Sequence, residues 1–241
     1  MKITILSLFP EMFNGFIETS IINKAILKEL VEVEVIDMRS FTEDKHNRVD
    51  DYPYGGGAGL VLLCQPVVDA IKSVRTEDSL VVMMTPQGKT FNQETAYDLS
   101  LNTKHLVLVC GHYEGFDERI RDYVDLEVSL GDFVLTGGEL AAMVISDAVI
   151  RLVEGVITKE SHEDDSFSNG LLEYAHYTRP RIFEGKEVPE VLFSGHHENV
   201  RKYRLESSLE KTYKHRPDLL KNRVLTKEEL EILNTIREND K

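Results

Sequence analysis

Cysteine, tryptophan and long apolar runs are scarce or absent in this chain of 241 residues. It has two cysteines and no tryptophan. Cys64 and Cys110 lie among aliphatic residues without metal-ligand spacing, so we expect reduced core thiols in a cytoplasmic protein rather than disulfides. No apolar run approaches the roughly 20 residues that a membrane helix needs, so no membrane partner is expected. The apolar start, Met1–Phe9, ends at Pro10 without a small-residue cleavage site and predicts a first strand rather than a signal peptide.

Three common catalytic fingerprints are also missing. The chain has no Gly-x-Gly-x-x-Gly after its first apolar run, no Gly-x-x-x-x-Gly-Lys-Ser/Thr and no Gly-x-Ser-x-Gly. The first absence disfavours a dinucleotide-binding Rossmann domain, and the other two exclude a P-loop and a serine-hydrolase elbow. A ligand site in this chain must therefore be sought in other patterns.

Positive charge is in short supply, but only in the first part of the chain. The net charge is −14, which by itself argues against a nucleic-acid partner. Residues 1–170 hold 14 Lys+Arg against 29 Asp+Glu, a net of −15, whereas residues 171–241 hold 14 against 13, a net of +1. Between residues 201 and 216 basic residues alternate with aromatic ones, which is typical of a nucleic-acid surface. A solvated, salt-bridged helix face is the alternative interpretation.

Short apolar runs alternate with helix-period segments as far as Val153, which predicts an α/β domain with a mostly parallel sheet covered on both faces. The predicted strands are Ile3–Leu8, Val31–Ile36, Ser79–Met84, His105–Cys110 and Leu126–Leu130. The predicted helices are Thr19–Leu30, Gln65–Arg75, Asn92–Leu101, Asp117–Val124 and Gly138–Val153.

The character of the sequence changes after Val153. A polar, aperiodic stretch predicts a linker, and the residues beyond it show no strand-like alternation. We predict helices over Gly195–Lys214 and Thr226–Arg237, the second opened by a capping signal of Thr226 with Glu229 three residues later. The predicted organisation is an α/β domain at 1–156, a linker at 157–170 and a small all-α domain at 171–241.

Glycine is concentrated in loops that follow the predicted strands. Three loops, Pro53–Gly59, Cys110–Gly115 and Leu130–Glu139, are accompanied by a shorter turn, Thr85–Gly88. Because glycine lets the main chain approach a ligand closely, and because parallel sheets bind ligands beyond their strand ends, these loops indicate a small-molecule site. Few Lys or Arg accompany them, which favours an adenine and an amino-acid tail over a polyphosphate. The alternative is that each glycine serves only a tight turn.

Several longer strings of residues carry a family resemblance. They are Ser7–Phe13, Val49–Gly59, Pro86–Gly88, Val109–Arg119, Ser129–Glu139, Asp165–Phe167 and His176–Pro180. In this order, over nearly the whole chain, they resemble the bacterial tRNA (guanine-N1)-methyltransferases of the SPOUT superfamily. His112 and Phe116 depart from the family pattern, and the C-terminal helices match it least. The resemblance implies a SPOUT-type sheet with a C-terminal trefoil knot, followed by the small all-α domain, which would bind tRNA.

The resemblance also implies the reaction and the donor site. The family methylates N1 of the guanine just 3′ of the anticodon with S-adenosylmethionine, supports reading-frame maintenance, and works as a homodimer with a shared active site. The donor contacts carried over by matching positions are Met84, Thr85, Pro86, Gly111, Glu114, Leu130, Gly131, Leu135, Gly137 and Gly138. For Pro86, Leu130 and Leu135, ordinary packing is an alternative interpretation.

Guanine N1 carries a proton, so its methylation requires a general base, and charge then develops toward O6. By resemblance the base is Asp165, the cation at O6 is Arg151, and Ser166 assists. From the residues alone, Glu163 and Asp164 are equivalent linker acids, and Arg151 is equally a charge that complements a helix end.

The predicted substrate contacts come from two sources. Asp50, Gly59 and Tyr113 are placed at the site, whereas Arg201, Lys202 and Arg204 are chosen because they lie in the basic stretch between residues 201 and 216. The resemblance makes Mg²⁺ possible, although the sequence shows no recognisable set of Mg²⁺ ligands. Transfer of the methyl group away from the donor sulfur needs no metal. Two rival functions remain open: ribose 2′-O-methylation, and RNA binding by a regulator without catalysis.

Overall fold

A computed structural model describes residues 1–158, 165–221 and 223–240 of the chain. The chain divides into two units, Met1–Thr158 and Lys159–Lys241. The predicted boundaries of domain and linker at residues 156 and 170, and the roles given to those parts, stay predictions. Glu163 and Asp164, the alternatives to Asp165 as base, lie outside the described residues.

The first unit alternates strands and helices, as the apolar pattern predicts. Its strands are β1 Lys2–Ser7, β2 Glu32–Asp37, β3 Asp50–Asp51, β4 Val61–Leu62, β5 Ser79–Thr90, β6 His105–Val109 and β7 Leu126–Ser129. Its helices are α1 Asn14–Ile17, α2 Ser20–Leu27, α3 Cys64–Val74, α4 Gln93–Asn102 and α5 Glu139–Ile150, with short 3-10 helices at Pro10–Phe13, Met38–Phe41 and Glu118–Tyr123. The helix predicted over Asp117–Val124 is therefore only 3-10.

Five strands form a parallel sheet in the order β2-β1-β6-β5-β7. Along the central strand β6, Leu106 and Leu108 belong to one apolar core, whereas Val107 and Val109 belong to the core on the other face. All four are fully buried, because a strand covered on both faces places successive side chains on opposite sides. The predicted parallel α/β sheet is confirmed, and the trefoil knot stays a prediction.

Strand β5 continues beyond its predicted end at Met84. Its ladder with β7 is interrupted, because Met84 and Lys89 both stand opposite Val128, and the residues between them form an excursion from the sheet. Gly88 makes the return possible, since a Cβ at this position would collide with the main chain of Val128. The sequence predicted the turn at Thr85–Gly88 but not its return to the same strand.

The second unit is largely helical. Its helices are α6 His197–His215, α7 Asp218–Lys221 and α8 Lys227–Asn239, with a 3-10 helix at Glu190–Phe193. Leu171, Leu209 and Leu233 form its buried core. The capping box is present, because the Thr226 side chain accepts from the Glu229 N–H and the Glu229 carboxylate accepts from the Thr226 N–H. In the part of the chain that the structure describes, no helix is both long and apolar enough to cross a bilayer.

The prediction of an all-α second part is wrong at one place. A hairpin joins β8 Ile182–Phe183 to β9 Lys186–Glu187. Its two-residue turn places Glu184 at φ 50° and Gly185 at φ 78°. A turn with two positive φ values matches the twist of paired strands. Glu-Gly is a weak signal for it because glutamate rarely adopts this conformation, and two-residue strands are too short to show alternation.

Candidate active site

A cleft of about 430 Å³ lies at the carboxyl ends of the neighbouring strands β6, β5 and β7, with the start of α5 beside it. The loops that follow these strands form its walls. The cleft contains all ten positions predicted to contact the methyl donor, together with Tyr113. They are Met84, Thr85, Pro86, Gly111, Glu114, Leu130, Gly131, Leu135, Gly137 and Gly138.

The main chain closes one side of the cleft. The Gly138 N–H donates to the Gly111 carbonyl at 2.8 Å, and Gly137 pairs with His112 in an isolated bridge. A Cβ on Gly138 would lie 2.8 Å from both the Cys110 Cα and the Gly111 nitrogen. Because real Cβ atoms do not approach main chain so closely, this crossing requires glycine.

The floor of the cleft is apolar. Met84, Val128 and Ala141 line it, and each is less than one-tenth exposed. In the described part of the chain, Arg121 is the only lysine or arginine in the lining, and its guanidinium pairs with Glu118 and Glu127. A cleft of this composition suits a flat, largely uncharged ring better than a row of phosphates.

Cys110 lies directly beneath the glycine crossing and is fully buried. Burial raises the pKa of its thiol well above the usual range, and the nearby Glu139 carboxylate raises it further. The thiol therefore stays protonated and acts as a small apolar side chain.

A buried pair that the sequence did not reveal supports the same wall. Glu139, in the first turn of α5, is 2% exposed, and the Ser7 hydroxyl donates to its Oε1 at 2.8 Å. The Ser7 hydroxyl oxygen in turn accepts the Phe9 N–H at 2.9 Å. This pair joins the end of β1 to the start of α5 across 132 residues. The only signal in the sequence was a glutamate in the first turn of a largely apolar helix.

The first glycine loop lies beside the cleft. The Glu114 N–H donates to the Leu60 carbonyl at 3.0 Å, and the Glu114 side chain contacts Gly59. Asp50 is half-buried in β3, paired with Leu62 of β4. Gly59 and Tyr113 are thus brought to one edge, and the β3–β4 ladder connects Asp50 to it. Among the described residues, no group of three or more His, Cys, Asp or Glu is arranged to hold a metal ion.

Arg151 stands apart from the cleft. It follows the last residue of α5, whose first turn lies at the cleft. At roughly 1.5 Å per residue, the helix separates Arg151 from Gly138 by about 20 Å. Leu140 and Val144, each 49% exposed, lie on the same face of α5 as Arg151. Val144 follows Leu140 by four residues and Arg151 follows Leu140 by eleven, which are spacings of one helix face.

The predicted base lies in a tight turn of the second unit, Asp165–Gly170. The Ser168 N–H donates to the Asp165 carbonyl at 3.2 Å, and the Gly170 N–H to the Phe167 carbonyl at 3.2 Å. The Ser166 hydroxyl oxygen accepts the Glu173 N–H at 2.9 Å. Phe167 has φ 74° and Gly170 φ 79°, so the turn is sharply bent.

The predicted tRNA contacts on α6 differ in their surroundings. The Arg201 guanidinium bonds Glu198 at 2.8 Å and Glu228 at 2.7 Å. Arg204 stacks over the Tyr174 ring, with its Cζ 4.7 Å from the centroid. Lys202 is exposed on the same helix. The charge of Arg201 is therefore already balanced by two carboxylates, which the sequence did not reveal for Glu228.

The parallel sheet and the glycine-lined cleft at its strand ends define an α/β enzyme built to hold a small ligand by its main chain. The family model described as "tRNA (Guanine-1)-methyltransferase TrmD" matches residues 1–222. The chain is 57% identical over 235 residues to a tRNA (guanine-N(1)-)-methyltransferase of Clostridium botulinum, covering 97% of each chain. It is 51% identical over 232 residues to one of Mycoplasma capricolum, covering 96% of this chain and 97% of that one. The chain belongs to the tRNA (guanine-1)-methyltransferase family, and it is an enzyme of that methyltransferase class.

Proposed function

We propose that this enzyme methylates N1 of the guanine just 3′ of the anticodon in tRNA with S-adenosylmethionine, and thereby supports reading-frame maintenance in the cytoplasm. One observation carries the proposal. The ten positions that match the family's donor contacts are spread over the 55 residues from 84 to 138 of this chain, and all of them line a single cleft. The methyl group would come from the positively charged sulfur of the bound donor, a good leaving group.

The residues of the cleft fit this donor. Its volume falls in the range of roughly 300–1,000 Å³ that small-molecule sites occupy. The apolar floor at Met84 and Val128 suits the faces of an adenine. The main-chain crossing at Gly111 and Gly138 forms part of the lining, so the bound donor would contact main chain there. The single arginine is already paired, which fits a ligand without phosphates.

The residue that removes the proton in this proposal is Asp165, in the Asp165–Gly170 turn. Asp165 accepts the proton of guanine N1 as the new bond to N1 forms, which frees the lone pair only when it is needed. Ser166, the next residue along the chain, assists the base, and its hydroxyl oxygen accepts the Glu173 N–H at 2.9 Å. Arg151 stabilises the charge that develops on O6.

Two copies of the chain are required in this proposal. Arg151 lies at the end of α5 that is remote from the cleft of its own chain, on a helix face that exposes Leu140 and Val144. An apolar helix face of this kind is suited to packing against protein. A homodimer joined there would let Asp165 and Arg151 act at the cleft of the second copy, giving a shared site.

The tRNA is held by the second unit, with Lys202 and Arg204 as phosphate contacts and Asp50, Gly59 and Tyr113 beside the reacting base. The target guanine must leave its stack to enter a cleft. The proposed steps do not use a metal, because the positively charged sulfur of the donor is already a good leaving group.

The test is mass mapping of methylated nucleosides in total tRNA incubated with the protein and labelled S-adenosylmethionine. We expect 1-methylguanosine next to the anticodon, and only when the donor is added. A methyl group on a ribose 2′ oxygen would instead identify a ribose methyltransferase. Tight RNA binding without donor affinity or methyl transfer would identify a binding protein.

A further inference from the structure

The turn that holds Asp165 is tied to a residue far along the chain. The Asn169 carbonyl accepts a hydrogen bond from Nη1 of Arg223, 54 residues later. The Asn169 side chain also accepts the Leu171 N–H at 3.1 Å. The turn is therefore held from both sides at Asn169, four residues from the predicted base.

Arg223 is itself held firmly. Its Nη2 donates to Oε1 of Glu229 at 2.6 Å, and the two side chains are 22% and 6% exposed. The second carboxylate oxygen of Glu229 accepts the Thr226 N–H at 2.8 Å. Burial alone would raise the pKa of Glu229, but the bonds from Arg223 and Thr226 outweigh burial and lower it. The pair is therefore charged, and its planar fork leaves little freedom.

The anchor of this pair is the start of α8. Glu229 closes the capping box of that helix, and Leu233, one turn further on, packs in the small core with Leu171 and Leu209. Leu171 directly follows the Asp165–Gly170 turn. The turn, the guanidinium and the helix start thus form one connected element, in which the arginine is the bridge.

We propose that Arg223, fixed by Glu229, is a positioning residue that sets the place of Asp165 for proton removal. This inference rests on the proposed function. The family model ends at residue 222, so the bridge comes from outside the matched segment. Proton transfer depends steeply on distance, and a displacement of about 1 Å can cost up to about 10²-fold in rate.

The main experiment compares Arg223→Met with Arg237→Met, the same replacement at an exposed arginine of α8. We expect Arg223→Met to lower the single-turnover methylation rate, at saturating tRNA and donor, by about tenfold or more. The Kd values for tRNA and donor should change by no more than about twofold, and Arg237→Met should behave as wild type. Hydrogen exchange should quicken at the Ser168 and Gly170 amides in Arg223→Met only.

Two more conservative variants test the proposal in case Arg223→Met does not fold. Arg223→Lys keeps the charge but places its donors on a single nitrogen, which can reach the Asn169 carbonyl or the Glu229 carboxylate, so part of the rate should be recovered. Glu229→Gln keeps an acceptor for the Thr226 N–H but removes the ion pair, and should slow the reaction in the same direction. Full rates in both folded variants would overturn the proposal.

A double-mutant cycle with Asp165→Asn separates positioning from general damage. If Arg223 acts through Asp165, Arg223→Met should cause almost no further loss once Asp165 is changed. The same fold-loss in both backgrounds would overturn the inference. If Asp165→Asn is slow and Arg223→Met has the wild-type rate, the inference about Arg223 is overturned and the proposed base stands. If Asp165→Asn has the wild-type rate, the proposed base is overturned as well.

Discussion

The glycine-lined cleft and the Asp165 turn are held in shape by different chemical groups. The cleft takes its shape from main chain, with the Gly138 N–H bonded to the Gly111 carbonyl and a lining poor in charged side chains. The turn is held by side chains, among them the Arg223 guanidinium from 54 residues away. A site built from main chain tolerates no added Cβ, whereas a turn tied by side chains is sensitive to single polar groups. Their responses to substitution should therefore differ.

The largest effect is expected at the turn itself. Asp165→Asn keeps the shape of the side chain but removes the proton acceptor. The single-turnover methylation rate should fall by roughly 10²–10⁴, the range typical of a lost general base, while donor Kd stays within a few-fold of wild type. Rapid-quench assays on purified tRNA measure the rate, and titration with labelled donor measures the Kd. A near-normal rate would exclude Asp165 as the base.

Mixing two inactive variants tests whether each active site takes its cleft from one chain and its Asp165 turn from the other. Asp165→Asn removes the proton acceptor in the turn, and Gly137→Trp fills the cleft, so each variant alone should be nearly inactive. After random subunit exchange about half of the dimers are mixed, with one intact site of two, so activity should return to about a quarter of wild type. Absence of recovery, once native mass spectrometry has verified exchange, would contradict a shared site.

A single methyl group should distinguish the cleft from ordinary surface. Gly138→Ala drives a Cβ into the main chain at Cys110 and Gly111, which should weaken donor binding by about tenfold, the equivalent of about 1.4 kcal/mol. Gly15→Ala is the matched control, because no atom lies within 4 Å of a Cβ there. Calorimetric titration with the donor measures both. Equal affinities would mean that the loops shift freely and that the crossing does not shape the site.

The smallest effect concerns the salt dependence of tRNA binding. Arg201 already pairs with two carboxylates, so Arg201→Ala should leave the slope of log Kd against log salt unchanged. Lys202→Ala on the same helix should flatten that slope by about one unit or less, because one phosphate contact is lost. Filter binding over a salt series measures both slopes. A flattened slope in Arg201→Ala would show that its ion pairs open when RNA binds.

The glycine loops of the cleft were predictable from local sequence, whereas the individual donor contacts within them came from the family resemblance. Gly111, Gly131 and Gly138 each follow or precede an apolar run, and strand ends in a parallel sheet meet at one edge whatever the details of the loops. The capping box of α8 was predictable for the same reason, since Thr226 and Glu229 are three residues apart.

Contacts between distant residues were not predictable in this way. Ser7 with Glu139 and Asn169 with Arg223 join positions 132 and 54 residues apart, and nothing in either neighbourhood indicates the partner. The choice of Asp165 over its acidic neighbours came from the family resemblance, not from periodicity. The β8–β9 hairpin was missed because each of its strands has only two residues, which is a single period of alternation.

The excursion of β5 makes the length of one segment inflexible. Met84 leaves the ladder opposite Val128 and Lys89 returns opposite the same residue, so the spacing between them is fixed by a neighbouring strand. An insertion or deletion of one residue would turn the side chains after Gly88 to the opposite face of the sheet or break their pairing. Among relatives of this chain, gaps should be absent between Met84 and Lys89.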